Sequence, residues 1–185
     1  MVNHEQTFNL QQLMTKPSPS LPPGCIFRPA CAKDTWAILK LILIAKLEPT
    51  QLRWTQFRVI EFEGRVVACG QLRHFPDAQE LGSLVVAPKW RNRGLGSYLM
   101  ENLIKEATQP AGALSVGELN SPRVAPLYLE CMGWLTGFYT RFGFVSVSWQ
   151  DLPKSLKVKF GLSKLATTLF RIPLSIMTYQ PKDEG

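Results

Sequence analysis

Long apolar runs, clustered cysteines and histidines are what this 185-residue chain has least of, and each shortage removes a class of function. No apolar stretch reaches the ~18 residues of a membrane span. The nearest, Trp36 to Ala45, is broken by Lys40 and stops short. Met1 to Thr15 is polar and has no apolar centre of the kind a secretory leader carries. The four cysteines, Cys25, Cys31, Cys69 and Cys131, show no C-x-x-C spacing, and His4 and His74 do not pair with them. No metal site or disulfide framework is therefore expected, and reduced thiols in a cytoplasmic protein are. No Gly-Lys-Ser/Thr closes a phosphate loop, and counting G-x-G-x-x-G from Gly94 places Leu99 where the third glycine of a dinucleotide fingerprint would stand.

What is present is ordinary globular composition, 45% apolar and 19% charged, in a length that suits one domain. The formal charge of +7 admits nucleic acid, a membrane surface or an anionic small molecule as partner. Only Trp90, between Lys89 and Arg91, offers the basic–aromatic interleaving of a nucleic-acid surface, so neither nucleic acid nor membrane is expected. A proline-rich stretch, "KPSPSLPPG", separates a flexible tail over 1–23 from a single domain over 24–181.

Within that domain strands and helices interleave. "CIFRPA" reads as a strand, and the helix that follows has Trp36, Leu39, Ile42 and Leu43 at helical spacing. "FRVIEFEGRVVACGQLR" reads as a hairpin turning at Glu63-Gly64, and "ELGSLVVAP" as a strand stopped by Pro88. Leu95, Leu99, Leu103 and Ala107 form one face of a helix. A long connection over 108–126 leads to the strand "LYLEC", a helix with Leu135, Phe138, Tyr139 and Phe142 on one face, and the strand "FVSVSW". A basic helix from about Ser155 to Phe170 and a last strand, "PLSIMTY", complete the order. The class is α+β, or mixed α/β, in one layered domain, because the early hairpin rules out a purely parallel sheet.

The stretch "VVAPKWRNRGLGSYLM" carries the clearest chemistry. A helix N-terminus leaves about four N–H groups without intrahelical partners and bears roughly half a positive charge. Gly94 and Gly96 remove side chains where an anion would approach, and Arg91 and Arg93 add permanent charge. A phosphate or pyrophosphate ligand is the expectation, with a tight turn bearing exposed arginines as the alternative.

The same stretch resembles the acetyl-CoA signature of the GNAT superfamily of N-acetyltransferases, here Arg91, Asn92, Arg93, Gly94, Leu95, Gly96 after the strand "LVV". "FYTRFGF", Phe138 to Phe144, resembles the family's aromatic-Tyr passage, and the order of elements fits from about Cys25 to Tyr179. The resemblance implies a GNAT-like fold, a central mixed sheet that splays beside the signature strand and is flanked by helices. It implies that acetyl-CoA enters the gap as acyl donor: Leu84, Val85 and Val86 would pair their backbone with the pantetheine. The amides from Asn92 to Ser97 would take the pyrophosphate. Tyr139 stands at the position of the family's general acid, although buried tyrosines are also common core residues. Glu80, opening the signature strand, stands where some members place the base; a solvated strand-end carboxylate or a water chain are the alternatives. Cys131 lacks a neighbouring base and is read as pocket wall.

The acceptor implied is a primary amine, of a small molecule or amino acid, since "RWTQFRVIE" and "FVSVSWQDLPKSLK" are faintly similar to the acetylglutamate-synthase branch. Arg53, Arg58, Arg73 or Lys154 would hold an acceptor carboxylate, with plain surface charge as the equal alternative. A protein lysine or N-terminal amine, or a sensor that binds acyl-CoA without turnover, are the competing readings, in a monomer or homodimer.

Overall fold

The computed structural model describes residues 20–109, 125–161 and 173–181. The tail over 1–19, the central part of the long connection and the second half of the basic helix lie outside the described residues. The elements in chain order are β1 (Cys25–Pro29), α1 (Thr35–Ile44), β2 (Phe57–Phe62), β3 (Arg65–His74), β4 (Gln79–Val86) and α2 (Leu95–Thr108). They continue with β5 (Leu127–Met132), α3 (Thr136–Thr140), β6 (Phe144–Ser146), α4 (154–161) and β7 (Leu174–Tyr179).

Seven strands form one sheet in the order β1-β2-β3-β4-β5-β7-β6. The pairs are antiparallel except β4 with β5, which run parallel. The β2–β3 turn takes positive φ at both Glu63 (48°) and Gly64 (74°), the requirement of a two-residue hairpin whose twist matches its strands. Alternation along the strands divides the core. Val59, Cys69 and Val85 form one cross-strand row and pack with Ile38, Leu41 and Ile42 of α1. Ile60 and Ala68, one residue along, pack with Leu95 and Leu99 of α2. The α2 face continues over β5 and β7 with Leu103, Leu129, Phe144 and Met177, and α4 covers the α1 face there with Leu156 and Phe160 against Tyr128. Each such side chain, taken from water, contributes about 1.5–3 kcal/mol.

The face assigned to α1 is corrected. Trp36 is 80% exposed and Leu43 55%, while Ile38, Leu41 and Ile42 are buried. The run TWAILKLILI is apolar nearly all round, so its spacing does not select a stripe, and packing against β2 and β3 does. The aromatic helix is also shorter than its spacing suggests: α3 ends at Thr140, Leu135 is 41% exposed, and Gly143 follows at φ 89°.

All four cysteines are free thiols. Burial raises Cys69 to about 12, and burial with the charge of Glu130 raises Cys131 to about 11. Native protein at pH 8 will therefore titrate with a chromogenic disulfide reagent at no more than two positions, Cys25 and Cys31. Cys69 and Cys131 will respond only after denaturant is added.

Candidate functional site

β4 and β5 pair only at Gln79–Leu127 and Glu80–Tyr128 and then part. From Leu81 onward β4 has no sheet partner on that side among the described residues, yet its amides and carbonyls keep their need for hydrogen bonds. A bulge sharpens the departure. Between the pairs Cys69–Val85 and Gln71–Gly82, Gly70 of β3 opposes both Ser83 and Leu84, and Ser83 takes φ 48°. Such a bulge bends one strand and re-aims its main chain. Gly70 lets α2 pack close there: a Cβ would lie 2.6 Å from Leu103 Cδ1 and force that side chain to shift.

The parting opens a cavity of about 670 Å³. Leu84 and Val86 form one wall, Leu135, Phe138 and Tyr139 the other, and the loop into α2 forms the mouth. In that loop Asn92 (φ 60°) and Gly94 (φ 80°) are left-handed. The first intrahelical bond of α2 runs from Tyr98 N–H to Gly94 C=O, at 2.9 Å. The N–H groups of Leu95, Gly96 and Ser97 consequently have no carbonyl of their own helix to reach. Arg91 Nε donates to the Val86 carbonyl at 3.3 Å, tying the loop to the strand end.

Of the residues singled out for a cofactor, Leu84, Val86, Arg91, Asn92, Gly94, Leu95, Gly96 and Ser97 all border this cavity. The side chain of Val85 lies on the opposite face of the sheet, buried against α1. Arg93 lies over the Trp90 ring, 4.9 Å from its centroid, rather than lining the cavity. Sequence reasoning passed over Arg141, which lines the cavity on the α3 side and stacks on Phe138 at 5.1 Å. Its position inside "FYTRFGF" was the available signal. Among the described residues no acidic side chain lines the cavity.

Tyr139 stands at the inner wall with its edge toward Phe138 and Phe144. Burial, with the neighbouring Cys131, raises its phenol to about 12, so it carries its proton at every physiological pH. Cys131, raised to about 11, is likewise held as the thiol, which makes it a poor nucleophile.

Glu80 lies on the other face of the sheet and is 3% exposed. Its neighbours are two cations: Arg73 Nη1 donates to Oε1 at 3.0 Å, and the Lys159 ammonium donates to Oε2. Burial lowers the Lys159 pKa below that of an ordinary lysine despite the carboxylate. Arg73 reaches over Gly82, where a Cβ would sit 2.8 Å from its Nη1, and so lies beside the bulge. Among the described residues its Nε has no hydrogen-bond partner, nor has Oε1 of the fully buried Gln71. Arg73 also borders a polar cavity of about 460 Å³ that includes Gln51, Arg53, Gln56 and His74. Among the other cations considered for an acceptor, Arg58 is ion-paired with Glu106 of α2 and Lys154 is exposed outside this cavity. Among the described residues no three His, Cys, Asp or Glu side chains gather as a metal site, and no helix is long and apolar enough to cross a membrane.

Residues 53–146, half of the chain, match the family model described as an acetyltransferase (GNAT) domain. An amino-acid acetyltransferase from Haemophilus ducreyi is 24% identical over 131 residues, 70% of this chain and 27% of that protein. One from Pseudomonas putida is 30% identical over 95 residues, 45% of this chain and 22% of that protein. The chain thus spans about a quarter of the curated relatives it matches. The N-acetylglutamate synthase of Neisseria gonorrhoeae, solved with coenzyme A and N-acetyl-glutamate, superposes with a TM-score of 0.62 at 16% identity, covering 88% of this chain and 37% of that one. A GNAT acetyltransferase from Staphylococcus aureus gives 0.61 at 14% identity, covering 85% and 99%. At such identities these structures speak for the fold; with the family model and the parted strands, they place this chain in the GNAT acetyltransferase family.

Proposed function

We propose that this protein is an N-acetyltransferase that carries the acetyl group of acetyl-CoA directly to a primary amine of a small molecule, an amino acid foremost. The observation that supports this most is the parting of β4 from β5 beside the open N-terminus of α2, for one elongated ligand suits both. A pantetheine arm has amides that can pair with the free edge of β4, completing the sheet as an added strand would. The diphosphate then falls at the N–H groups of residues 95–97, beside Arg91 and Arg141. The curated relatives' description as amino-acid acetyltransferases favours an amino acid as acceptor.

The acceptor approaches from the opposite face, where Arg73 lies beside the bulge. A guanidinium with an unpartnered Nε suits a carboxylate. In an α-amino acid the carboxylate and the amine share one carbon, so anchoring the first at Arg73 brings the second to the parted edge. The neutral amine attacks the thioester carbon, and the developing oxyanion takes a β4 amide freed by the splay. Collapse breaks the C–S bond, and Tyr139 gives its proton to the departing thiolate. Before the attack the acceptor's ammonium gives one proton to the Glu80 carboxylate, and the second proton, shed by the nitrogen as the amide forms, returns to Tyr139. Cys131 forms no acyl intermediate, because its thiol stays protonated.

Tyr139→Phe is expected to lower kcat about 100-fold with the dissociation constant for CoA unchanged, measured by thiol release and calorimetry. Glu80→Gln should lose rate at pH 7 and recover as pH rises toward the acceptor's own pKa, where the amine needs no base. A loss that does not narrow with pH would remove Glu80 from proton transfer. A purified chain that binds acetyl-CoA and releases no thiol with any amino acid, polyamine or peptide would instead be a sensor.

Gly96 separates fold from ligand. A Cβ there meets nothing nearer than 3.7 Å, so Gly96→Val should fold with little loss, while Gly94 at φ 80° leaves no such freedom. The Gly96 variant is expected to keep its melting temperature within a few degrees and to bind CoA at least tenfold more weakly by calorimetry.

A further inference from the structure

A second cavity, of about 780 Å³, lies on the α1 face of the sheet, between α1, the tip of the β2–β3 hairpin and the Pro88–Trp90 turn. That volume falls within the roughly 300–1,000 Å³ of small-molecule sites. Val85 of β4 packs against α1 on this face. Its floor is apolar, formed by Ala37, Leu41, Val66, Val67 and Ala87. Its rim is cationic. Lys33, Lys40, Arg65 and Lys89 are exposed around it, and among the described residues none of them is in an ion pair.

The two carboxylates in its lining offset only part of that charge, because Arg28 holds both and balances one, leaving a single negative charge against the four cations. Arg28 Nη1 and Nη2 donate to the two oxygens of Asp34 at 2.7 and 3.0 Å, and its Nε donates to Glu61 Oε2 at 2.9 Å. The buried Asp34 also accepts from the Cys31 N–H at 2.8 Å, which fixes the start of α1. The arginine holds its carboxyl well below the usual carboxylate range. The cavity therefore combines a rigid apolar body with four uncommitted cations at its edge.

Trp90 lines both cavities. Its ring packs on Phe62, with centroids 4.7 Å apart, and carries Arg93 on its face. It also stands one residue before Arg91, where the loop into α2 begins. Whatever fills the α1-face cavity touches the turn that sets this loop and adds its charge beside it.

We propose that this cavity binds a small amphipathic anion, an apolar ring or chain bearing one acidic group, and that such a ligand weakens CoA binding at the neighbouring loop. The binding half stands on the α1-face cavity alone; the coupling half rests on the CoA reading of the cleft. A bound anion near Lys89, two residues before Arg91 of the loop, offsets the positive field that the loop offers a diphosphate, an effect that added salt screens. By linkage, CoA must weaken the anion's binding by the same factor.

The test uses 8-anilinonaphthalene-1-sulfonate and its uncharged counterpart N-phenyl-1-naphthylamine, followed by fluorescence on the full chain. The sulfonate is expected to bind one site at least tenfold more tightly than the neutral rings. Lys40→Glu with Lys89→Glu should erase that preference, and Ala37→Trp, which fills the cavity, should abolish both. Calorimetry on each variant checks that CoA still binds, so a misfolded chain is recognised. Saturating sulfonate should raise the CoA dissociation constant at least threefold in the wild type and leave it unchanged in Ala37→Trp. If the sulfonate is displaced one for one by CoA and ignores Ala37→Trp, the probe occupies the cleft and the binding half falls. Equal affinity for charged and neutral rings overturns the anionic class. Sulfonate bound at the α1-face cavity with an unchanged CoA constant overturns the coupling. A chain that binds no CoA at all fails the CoA reading and leaves the fluorescence arms to decide the cavity by themselves.

Discussion

The parting of β4 from β5 after Glu80 and Tyr128 is the constraint from which the rest of the site takes its shape. A parallel pair normally continues its ladder to the strand ends, and interrupting it leaves main-chain groups that must be satisfied in some other way. Here the bulge at Ser83–Leu84 bends β4, Gly70 admits α2 close behind it, and α3 supports the far wall with Phe138 and Tyr139. One face of the sheet presents helix N–H groups and arginines without an opposing carboxylate, and the other presents Arg73, Glu80 and Lys159. The proposed acyl donor and amine acceptor would meet these two faces from opposite sides of the same strand.

Charge is managed differently on the two sides. At the cleft Arg91 and Arg141 are in no ion pair among the described residues. On the other face Glu80 is enclosed by two cations, and Arg73 Nε and Gln71 Oε1 are buried with no hydrogen-bond partner among the described residues. The Arg28–Asp34–Glu61 cluster shows the opposite solution, in which one arginine satisfies two carboxylates and stiffens the junction of β1, β2 and α1.

Much of this was legible in the sequence because it rests on local rules. Gly94 and Gly96 before an amphipathic run, the Glu63-Gly64 turn and the leucine face of α2 are each decided within a few residues, and each appears in the structure. What was not legible depends on distance along the chain. Lys159 meets Glu80 across 79 residues, and no spacing rule predicts that encounter. The bulge at Ser83 depends on Gly70 opposite, and the buried side of α1 depends on which neighbours reach it first. Arg141 was hidden in plain view, since a motif defined by its tyrosine and glycine draws attention from the residue between them.

Amide hydrogen exchange with and without CoA tests the central claim most directly, because it reads the main chain itself. If the free edge of β4 and the mouth of α2 receive the ligand, exchange will slow across residues 81–97 on adding CoA, with β1 and β6 unchanged. Binding by calorimetry with unaltered exchange over 81–97 would contradict the account.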